Sequence, residues 1–480
     1  MKRVLNVWLL MVAAIFLNSV EARELKIKGR VSSEGKALEG VWVSDGESFA
    51  STDKRGCYTL EANDENAFVF VCVPAGYEAK IEDGVVKHFL PMPKKQGAEC
   101  NFELDRRPYD DTSHTLIALA DPQIWAEKEF KKLAVGADDI KSVVDERPQR
   151  VFHGICLGDI VANQPKFYKE YNRTMQRANI PLRNIIGNHD MSIYIRSHEG
   201  STREYGEMYG PAYYSFDVGK VHYVVLNDNF YIGRDWYYIA YLEERQLSWL
   251  AQDLSHQQPG QVVVVSMHIP STCTPVDRES FIYQRIEGAL VNYKALYELL
   301  EPFNAHILSG HTHTTFNSEV RDNLYDHVVP AMSGAWWQGE LCTDGTPNGY
   351  AVFDFDGDKV SWYYKSVGKS AEHQMRLYTG VEYPEFEGYA VANIWNSDSK
   401  WQVEFLFDGE PSGVEPERFT AFDPAARELY ASNEGLDHKW IGPTEADHFY
   451  RVALPEGVKR VEVRARDRFG RVYSEELLLE

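Results

Sequence analysis

The stretch Asn184-Ile185-Ile186-Gly187-Asn188-His189-Asp190 decides how the rest of the chain is interpreted. An apolar run ends in a glycine, and three polar side chains that can bind a metal ion or move a proton follow it. Polar groups at the end of a buried strand cost free energy unless a partner compensates them. Two interpretations are open at this point: a turn in which Asn188 and Asp190 cap the backbone, or a site for a cation or a phosphate group.

The sequence around this stretch alternates between apolar strand-like runs and helix-like segments. The runs cover residues 116–120, 151–157, 182–186, 262–266 and 306–309, and the helix-like segments cover 128–146, 166–178, 243–254 and 293–300. This alternation predicts a layered α/β domain. Two further pairs of runs, 213–217 with 221–226 and 350–356 with 360–365, are joined by glycine-containing turns. They predict hairpins and therefore a mixed rather than a purely parallel sheet.

Each of the five strand-like runs is followed by polar side chains. Besides the opening stretch, these are Asp121 and Gln123, Asp159, His268, and His311 with His313. Open α/β sheets bind ligands beyond the carboxyl ends of their strands, so the positions suit a site. The groups are carboxylates, amides and imidazoles without a thiolate, a set that suits manganese, iron or zinc. They are too many for one tetrahedral cation and indicate two neighbouring cations that share a carboxylate.

The ordered motifs over residues 113–370 resemble those of the calcineurin-like metallophosphoesterases. That family has Asp-x-His, Gly-Asp, Gly-Asn-His-Asp/Glu, a lone His and Gly-His-x-His in this order. The resemblance implies a central four-layer αββα sandwich, two divalent metal ions and a metal-dependent phosphoric ester hydrolase. It also implies the metal ligands: Asp121 and His313 for the first metal, Asp159 as the bridge, and Asn188, His268 and His311 for the second metal.

The resemblance gives the remaining two side chains of the opening stretch catalytic roles. His189 would contact the phosphate and protonate the leaving oxygen as the general acid. Asp190 would orient His189 and tune its charge. The attacking group would be a metal-activated water, and the chain has no G-x-S-x-G nucleophile elbow.

Gln123 departs from the family pattern, because it stands where the family usually has the histidine of Asp-x-His. An amide oxygen can bind a hard cation, but it is a weaker ligand than imidazole for zinc or iron. This favours manganese over iron or zinc. The alternative is a first site that has lost its metal.

Composition limits the classes of partner. The chain has 480 residues, which predicts two or three domains. It carries 50 Lys+Arg and 72 Asp+Glu, a net charge of −22, so we expect no general binding to nucleic acid. The expected substrate is a small-molecule, glycan or lipid phosphoester, with monoester and diester both open. The alternative function is a non-catalytic exported binding or adhesion protein with a relic phosphoesterase domain.

The N-terminus has the pattern of an export signal. Lys2 and Arg3 precede an apolar run at 4–17 and a small-residue cleavage pattern, which predicts a signal peptide at residues 1–22. The run is short of the about 20 residues that cross a bilayer, although a retained anchor is an alternative. We expect a periplasmic or extracellular protein with no transmembrane segment after cleavage.

β-rich domains are expected on both sides of the catalytic domain. Residues 23–108 contain short strand-like runs broken by turns and resemble the transthyretin-like or Ig-like β-sandwich modules of exported enzymes. Residues 371–480 alternate in the same way and resemble a C-terminal accessory domain, with one predicted helix at 415–430.

Two pairs of residues leave alternatives open. Cys273 and Cys342 are candidates for a disulfide, because export permits one. Trp336 and Trp337 follow His313 by about two dozen residues. They could stack on a substrate ring or sugar, or they could close the core.

Overall fold

The structure is a computed structural model that describes residues 24–233, 237–272, 283–380, 383–431 and 435–479. The predicted signal peptide and Cys273 lie outside these ranges. Cys342 lies within them, and its thiol is buried.

Residues 24–106 form a β-sandwich. One sheet has the order β2-β1-β11-β7 with β5 paired to β1, the other has the order β10-β6-β3-β4, and β8 pairs with β9. In β5 buried and exposed side chains alternate, so one face of this strand lies in the core. The strands are β1 (Glu24–Ser33), β2 (Lys36–Ala37), β3 (Trp42–Ser44), β4 (Phe49–Ser51), β5 (Cys57–Asn63), β6 (Phe68–Val71), β7 (Tyr77–Ala79), β8 (Ile81–Glu82), β9 (Val85–Val86), β10 (Phe89–Pro91) and β11 (Phe102–Arg106).

The central unit contains two mixed sheets and most of the helices. Its strands are β12 (Ser113–Leu119), β13 (Val151–Cys156), β14 (Leu182–Asn184), β15 (Tyr214–Val218), β16 (Val221–Val225), β17 (Asn229–Gly233), β18 (Tyr237–Ala240), β19 (Val262–Ser266), β20 (Asn304–Ser309), β21 (Phe316–Arg321), β22 (Leu324–Val328), β23 (Gly349–Asp356) and β24 (Lys359–Ser366). Its helices are α1 (Phe130–Asp145), α2 (Tyr168–Met175), α3 (His198–Ser201), α4 (Arg203–Tyr209), α5 (Glu244–Leu254), α6 (Tyr283–Gly288) and α7 (Tyr293–Leu299). The strands and helices predicted here from the sequence all occur, with ends shifted by at most three residues.

The two sheets and the helices stack as four layers. One sheet has the order β14-β13-β12-β23-β24 and the other β15-β16-β19-β20-β22-β21. Leu116 and Ala118 of β12 pack into the core between the sheets, whereas Ile117 and Leu119 pack against the core under α1 and α2. Helices α5 and α7 pack on the second sheet. The predicted αββα sandwich with mixed sheets is therefore confirmed.

The parallel strands bring the polar loops to one edge of the molecule. Strands β12, β13 and β14 are parallel neighbours in the first sheet. Strands β16, β19 and β20 are parallel neighbours in the second sheet. Because the carboxyl ends of parallel strands lie at the same edge, the loops that follow them converge there. No helix in the described part of the chain has the length and hydrophobicity that a bilayer crossing requires.

Residues 376–478 form a second β-rich unit with two antiparallel sheets. The sheet orders are β25-β26-β30-β29 and β28-β27-β31-β32. The elements are β25 (Arg376–Thr379), β26 (Tyr389–Asn393), β27 (Gln402–Phe407), β28 (Glu410–Pro411), β29 (Glu417–Phe422), α8 (Pro424–Tyr430), β30 (Glu445–Ala453), β31 (Arg460–Arg466) and β32 (Val472–Leu478).

The predicted helix at 415–430 is wrong in its first half. Residues 417–422 form β29, which pairs with β30, and the helix begins at Pro424. The carboxylate of Asp423 accepts a hydrogen bond from the backbone N–H of Ala426 and caps the helix. Pro424 fits the first turn of a helix but not its interior, so it fixes the boundary.

A buried ion-pair cluster joins the N-terminal sandwich to the central unit. Glu78 of β7 lies 3.0 Å from the guanidinium of Arg107 through one carboxylate oxygen. Its other oxygen pairs with Arg183 of β14, and both arginine side chains are almost fully buried. Burial opposes ionisation of Glu78, but the charges of Arg183 and Arg107 hold the pKa of this carboxyl below its ordinary value.

Replacing Glu78 should destabilise the protein strongly. Glu78→Gln leaves two buried guanidinium groups without their shared carboxylate, which should lower the free energy of unfolding by about 3–5 kcal/mol. Because the folded-state pKa of Glu78 is lowered, its contribution is present above the unfolded pKa and is lost as pH falls through the folded value.

Urea unfolding at pH 7 measures the effect. The control is Glu61→Gln, since Glu61 pairs with Lys26 on the exposed surface and should change stability by less than about 0.5 kcal/mol. Equal effects of the two variants would contradict the role of the cluster.

Candidate metal centre

The candidate ligands lie on loops with unusual backbone conformations. Five of them have left-handed φ angles: Asp121 (50°), Gln123 (38°), Asp159 (51°), His311 (70°) and His313 (55°). Non-glycine residues rarely adopt this region, and such strain concentrates at functional sites. These turns direct the side chains of successive loops toward one another.

Glycines allow these loops to approach closely. A Cβ atom on Gly187 would lie 2.2 Å from the carboxylate Oδ1 of Asp159, and one on Gly310 would lie 2.4 Å from Oδ2 of Asp121. Both contacts are shorter than van der Waals separation permits. The glycines of the Gly-Asn-His-Asp and Gly-His-x-His motifs therefore make room for the carboxylates of neighbouring loops.

One group of candidate ligands surrounds Asp121. The imidazole Nε2 of His313 lies 3.6 Å from Oδ1 of Asp121, and the amide Nε2 of Gln123 donates to Oδ2 of Asp159 at 2.7 Å. The other ring nitrogen of His313 contacts the carbonyl of Gly334 at 2.6 Å, which orients Nε2 toward the carboxylate.

A second group surrounds the imidazole Nε2 of His268. This atom lies 2.9 Å from Oδ1 of Asn188, 3.2 Å from Nδ1 of His311 and 3.3 Å from Oδ1 of Asp159. Its other ring nitrogen contacts the carbonyl of Leu157 at 2.8 Å. Asp159, His268 and His311 each offer one ligand atom, all within 4.8 Å of one another. The structure thus brings all seven predicted ligands together, and Asp159 contacts both groups.

Asp190, which the sequence predicts to orient His189 and tune its charge, contacts the backbone of the turn rather than the ring of His189 among the described residues. The carboxylate of Asp190 accepts backbone N–H groups from Gly187 at 2.9 Å and from Ile160 at 3.1 Å. It therefore ties the turn at 188–190 to the loop after β13. The ring Nδ1 of His189 instead contacts the side-chain amide of Asn163 at 2.9 Å.

Matches to known sequence families cover most of the chain. Residues 115–315 match the family described as calcineurin-like phosphoesterase. Residues 25–107 match the N terminal, and residues 326–473 the C terminal, of calcineurin-like phosphoesterase. The chain belongs to the calcineurin-like phosphoesterase family.

Individual relatives support the family assignment. The chain is 26% identical over 244 residues to the serine/threonine-protein phosphatase CPPED1 of Homo sapiens, a match that covers 48% of this chain and 73% of the relative. The Rattus norvegicus protein of the same name is 28% identical over 209 residues, with 41% and 63% covered. A solved dimetal phosphatase from Danio rerio aligns with a TM-score of 0.37 at 14% identity, over 53% of this chain and 97% of that chain. Together with the family, the two CPPED1 relatives show a metal-dependent phosphoric ester hydrolase, and the family uses two divalent metal ions.

The electrostatics of this calcineurin-like site favour bound cations. Burial and the charge of Asp159 raise the pKa of Asp121 to about 8. Burial opposes a charge on His268, but the carboxylates of Asp159 and Asp121 raise its pKa to about 10, so a cation bound to this ring would displace its proton. Burial lowers the pKa of His311 to about 3 and that of His313 to about 4, so both rings are neutral at pH 7 and can bind metal. A bound cation would favour the ionised form of Asp121.

Two residues near the site were missed by the sequence analysis. Asp228 accepts the backbone N–H groups of His268 at 3.2 Å and Ile269 at 2.8 Å, so it fixes the loop after β19. Its signal was available, because polar residues 227–229 directly follow the strand-like run at 221–226. Asn163 had no comparable signal, since its role depends on a contact with His189 across the fold.

The tryptophan pair has two different roles. Trp337 is buried, and its indole N–H donates to the carbonyl of Pro122 at 2.8 Å, so it closes the core beside the loop of Asp121. Trp336 is half-buried, and its ring stacks on His313 with centroids 4.1 Å apart and planes 17° apart.

His189 lies at the wall of an open cleft of about 520 Å³. His189 is half-buried, as are Asn188 and His311, whereas the other five candidate ligands are buried. The backbone N–H of His189 donates to Oδ1 of Asp159 at 2.8 Å, which holds the residue beside the candidate metal centre. The cleft therefore adjoins the candidate metal centre through His189.

Replacing Asn163, which contacts the ring of His189, and Asp190, which contacts the backbone of the turn, should separate an effect on the orientation of His189 from an effect on stability. Asn163→Ala removes the contact to Nδ1 of His189 and should lower kcat about tenfold, or about 1.4 kcal/mol, with little change in thermal stability. Asp190→Ala leaves buried backbone N–H groups unpaired and should lower stability by about 1–3 kcal/mol.

The measurements are steady-state kinetics and thermal unfolding of the two variants. Loss of activity without loss of stability in Asp190→Ala, together with an inert Asn163→Ala, would return the orienting role to Asp190.

Proposed function

We propose that this protein is an exported hydrolase that cleaves phosphomonoesters or phosphodiesters of small molecules, glycans or lipids at two bound divalent cations. One observation carries the proposal. Oδ1 of Asp121, Oε1 of Gln123 and Nε2 of His313 are buried and have no hydrogen-bond partner in the described residues. Unpaired buried polar atoms are costly, and three ligand-type atoms in one loop cluster fit a cation that would satisfy them.

The proposed ligand sets follow the two groups of contacts. The first cation would be held by Asp121, Gln123 and His313, the second by Asn188, His268 and His311, with Asp159 shared between them. When bound, the pair would supply positive charge that polarises the phosphoryl group and lowers the pKa of a water molecule.

The amide oxygen of Gln123 favours a harder metal ion in the first cation site. Its unpaired Oε1 belongs to the same buried set as the carboxylate oxygen of Asp121. With Asp159, three of the four proposed ligands are oxygen donors. This composition favours manganese over zinc or iron, which bind imidazole more strongly.

His189 would act as the general acid. Its Nδ1 is engaged by Asn163, so Nε2 is the ring nitrogen left for proton transfer to the leaving oxygen. Its backbone N–H is anchored on Asp159, which places the proton donor beside the phosphate that the cations would hold. Asp190 supports this geometry through the backbone of the turn.

Export is proposed from the N-terminal sequence. Lys2 and Arg3, the apolar run at 4–17 and the small residues before position 23 form the pattern of a cleaved signal. The place of action would be the periplasm or the cell exterior.

The general-acid role of His189 predicts a dependence on the leaving group. His189→Ala should lower kcat by about 10²–10⁴-fold on alkyl phosphates, whose leaving oxygen needs a proton. It should lower kcat much less on an aryl phosphate with an acidic phenol. Metal content should not change, because the ring of His189 is outside the proposed ligand set.

The experiment uses protein loaded with Mn, Fe or Zn, assayed on aryl phosphate, bis-aryl phosphate and alkyl phosphates. The control is His256→Ala, whose half-buried ring stacks on Trp42 at the interface with the N-terminal sandwich. Wild-type protein that cleaves neither aryl substrate nor a panel of natural phosphoesters would refute the hydrolase. Equal loss on all leaving groups together with loss of metal would make His189 a ligand instead.

A further inference from the structure

The segment 435–441 of the C-terminal unit lies beside the proposed active site. The ring of His438 lies 5.9 Å from that of Trp125, in the loop after β12, and 6.0 Å from that of Trp440. The backbone N–H of Asp437 donates to the side-chain carbonyl of Gln338 at 2.6 Å, and its carboxylate pairs with Lys128. The segment is thus attached to the loops on both sides of the site.

A continuous series of rings connects this segment to a candidate metal ligand. Trp440 contacts Trp336 edge to face, with centroids 4.3 Å apart and planes 74° apart. Trp336 in turn stacks on His313. The series Trp125, His438, Trp440, Trp336 and His313, named here the aromatic wall, begins at solvent and ends at the metal centre.

The outer rings of the aromatic wall are exposed although they are large and apolar. Trp440 is 65% exposed and Trp125 is 47% exposed. Both lie beside the catalytic loops, and Trp125 also lines the cleft that contains His189. Exposed indole rings next to a reaction site are suited to bind the flat apolar face of another ring.

The inner rings have another role. One face of Trp336 is covered by His313, and Trp440 packs against it with its edge. The φ angle of Trp336 is 51°, a strained conformation for a bulky residue. Because Trp336 is engaged by His313 and Trp440, the exposed ring surface left for a substrate belongs to Trp125 and Trp440.

We propose that Trp125 and Trp440, with His438 between them, form a subsite for a ring in the organic part of the phosphoester. This inference rests on the proposed function and specifies its substrate class: a phosphoester that carries a sugar or an aromatic ring. The C-terminal unit is then part of the active site, because it contributes His438 and Trp440.

The cleft that Trp125 lines also offers polar groups. Asn163, Gln164 and Ser192 line it together with Trp125. An apolar ring face together with hydroxyl or amide groups matches a sugar, which has flat C–H faces and hydroxyl edges. An aromatic ring would use the wall alone.

Kinetics on matched substrates test the subsite. Trp440→Ala should lower kcat/KM about three- to tenfold for phenyl phosphate and glucose 6-phosphate, mainly through KM. It should change kcat/KM less than twofold for glycerol 3-phosphate and phosphoserine, which have no ring. Trp125→Ala should act in the same direction. A larger effect of Gln164→Ala on glucose 6-phosphate than on phenyl phosphate identifies a sugar, and no effect on either substrate identifies an aromatic ring.

The control is Val414→Ala, because Val414 is an apolar residue of the same unit with a similar exposure of 62%. Equal losses on ring-bearing and ring-free substrates in Trp440→Ala would overturn the subsite and leave Trp440 as a support of Trp336 and His313. No loss on any substrate would also overturn it.

A binding measurement distinguishes a failure of the subsite from a failure of the proposed hydrolase. Quenching of intrinsic tryptophan fluorescence by phenyl phosphate and glucose 6-phosphate, compared with glycerol 3-phosphate, is measured without turnover. Quenching that depends on a ring and that Trp440→Ala removes supports the subsite, even if the protein hydrolyses none of these esters. The absence of hydrolysis would count only against these esters as substrates. Hydrolysis without any preference for rings keeps the hydrolase and overturns the subsite.

Discussion

The candidate ligands of both groups are arranged around the buried carboxylate of Asp159. Its oxygens contact the amide of Gln123, the backbone N–H of His189 and the ring of His268. Burial alone would raise its pKa, but the charges of His268 and His189 together with these hydrogen bonds hold that pKa below the ordinary value. A carboxylate that stays ionised inside the protein attracts further cationic partners, and the unpaired ligand atoms around it leave room for them. The strained turns and the glycines of these loops place the candidate ligand atoms around Asp159.

The C-terminal unit supports the same site from outside. The carboxylate of Asp344 accepts the backbone N–H of Thr315, two residues after His313, at 2.7 Å. The same carboxylate lies 3.3 Å from the ring of His448 in β30. Through these contacts and through Trp336, the loop of His313 is held between the catalytic sheets and the C-terminal β-rich unit. A unit that resembles a separate accessory domain in sequence therefore has a direct structural connection to the candidate metal centre.

Much of the site was predictable because its signal is local. A polar residue directly after an apolar run is visible in one sequence, and this pattern identified Asp121, Asp159 and His268. Long-range contacts leave no such pattern. The partner of His189 is Asn163 rather than its neighbour Asp190, since the backbone of the turn uses the carboxylate first.

The fold shows the same difference between local signals, which are visible in the sequence, and long-range contacts, which are not. The layered α/β domain followed from alternating periodicities, which each segment carries by itself. The helix predicted at 415–430 failed where pairing with β30 outweighed the helical preference of residues 417–422. The position of Trp440 against Trp336 could not be predicted, because it depends on how two units of the chain pack together.

Anomalous diffraction from crystals grown with manganese tests whether two cations bind around Asp159. We expect two peaks about 3.5–4 Å apart, with the carboxylate of Asp159 between them. One peak should contact Asp121, Gln123 and His313, and the other Asn188, His268 and His311. A single peak, or a peak bound to the ring of His189, would contradict the account.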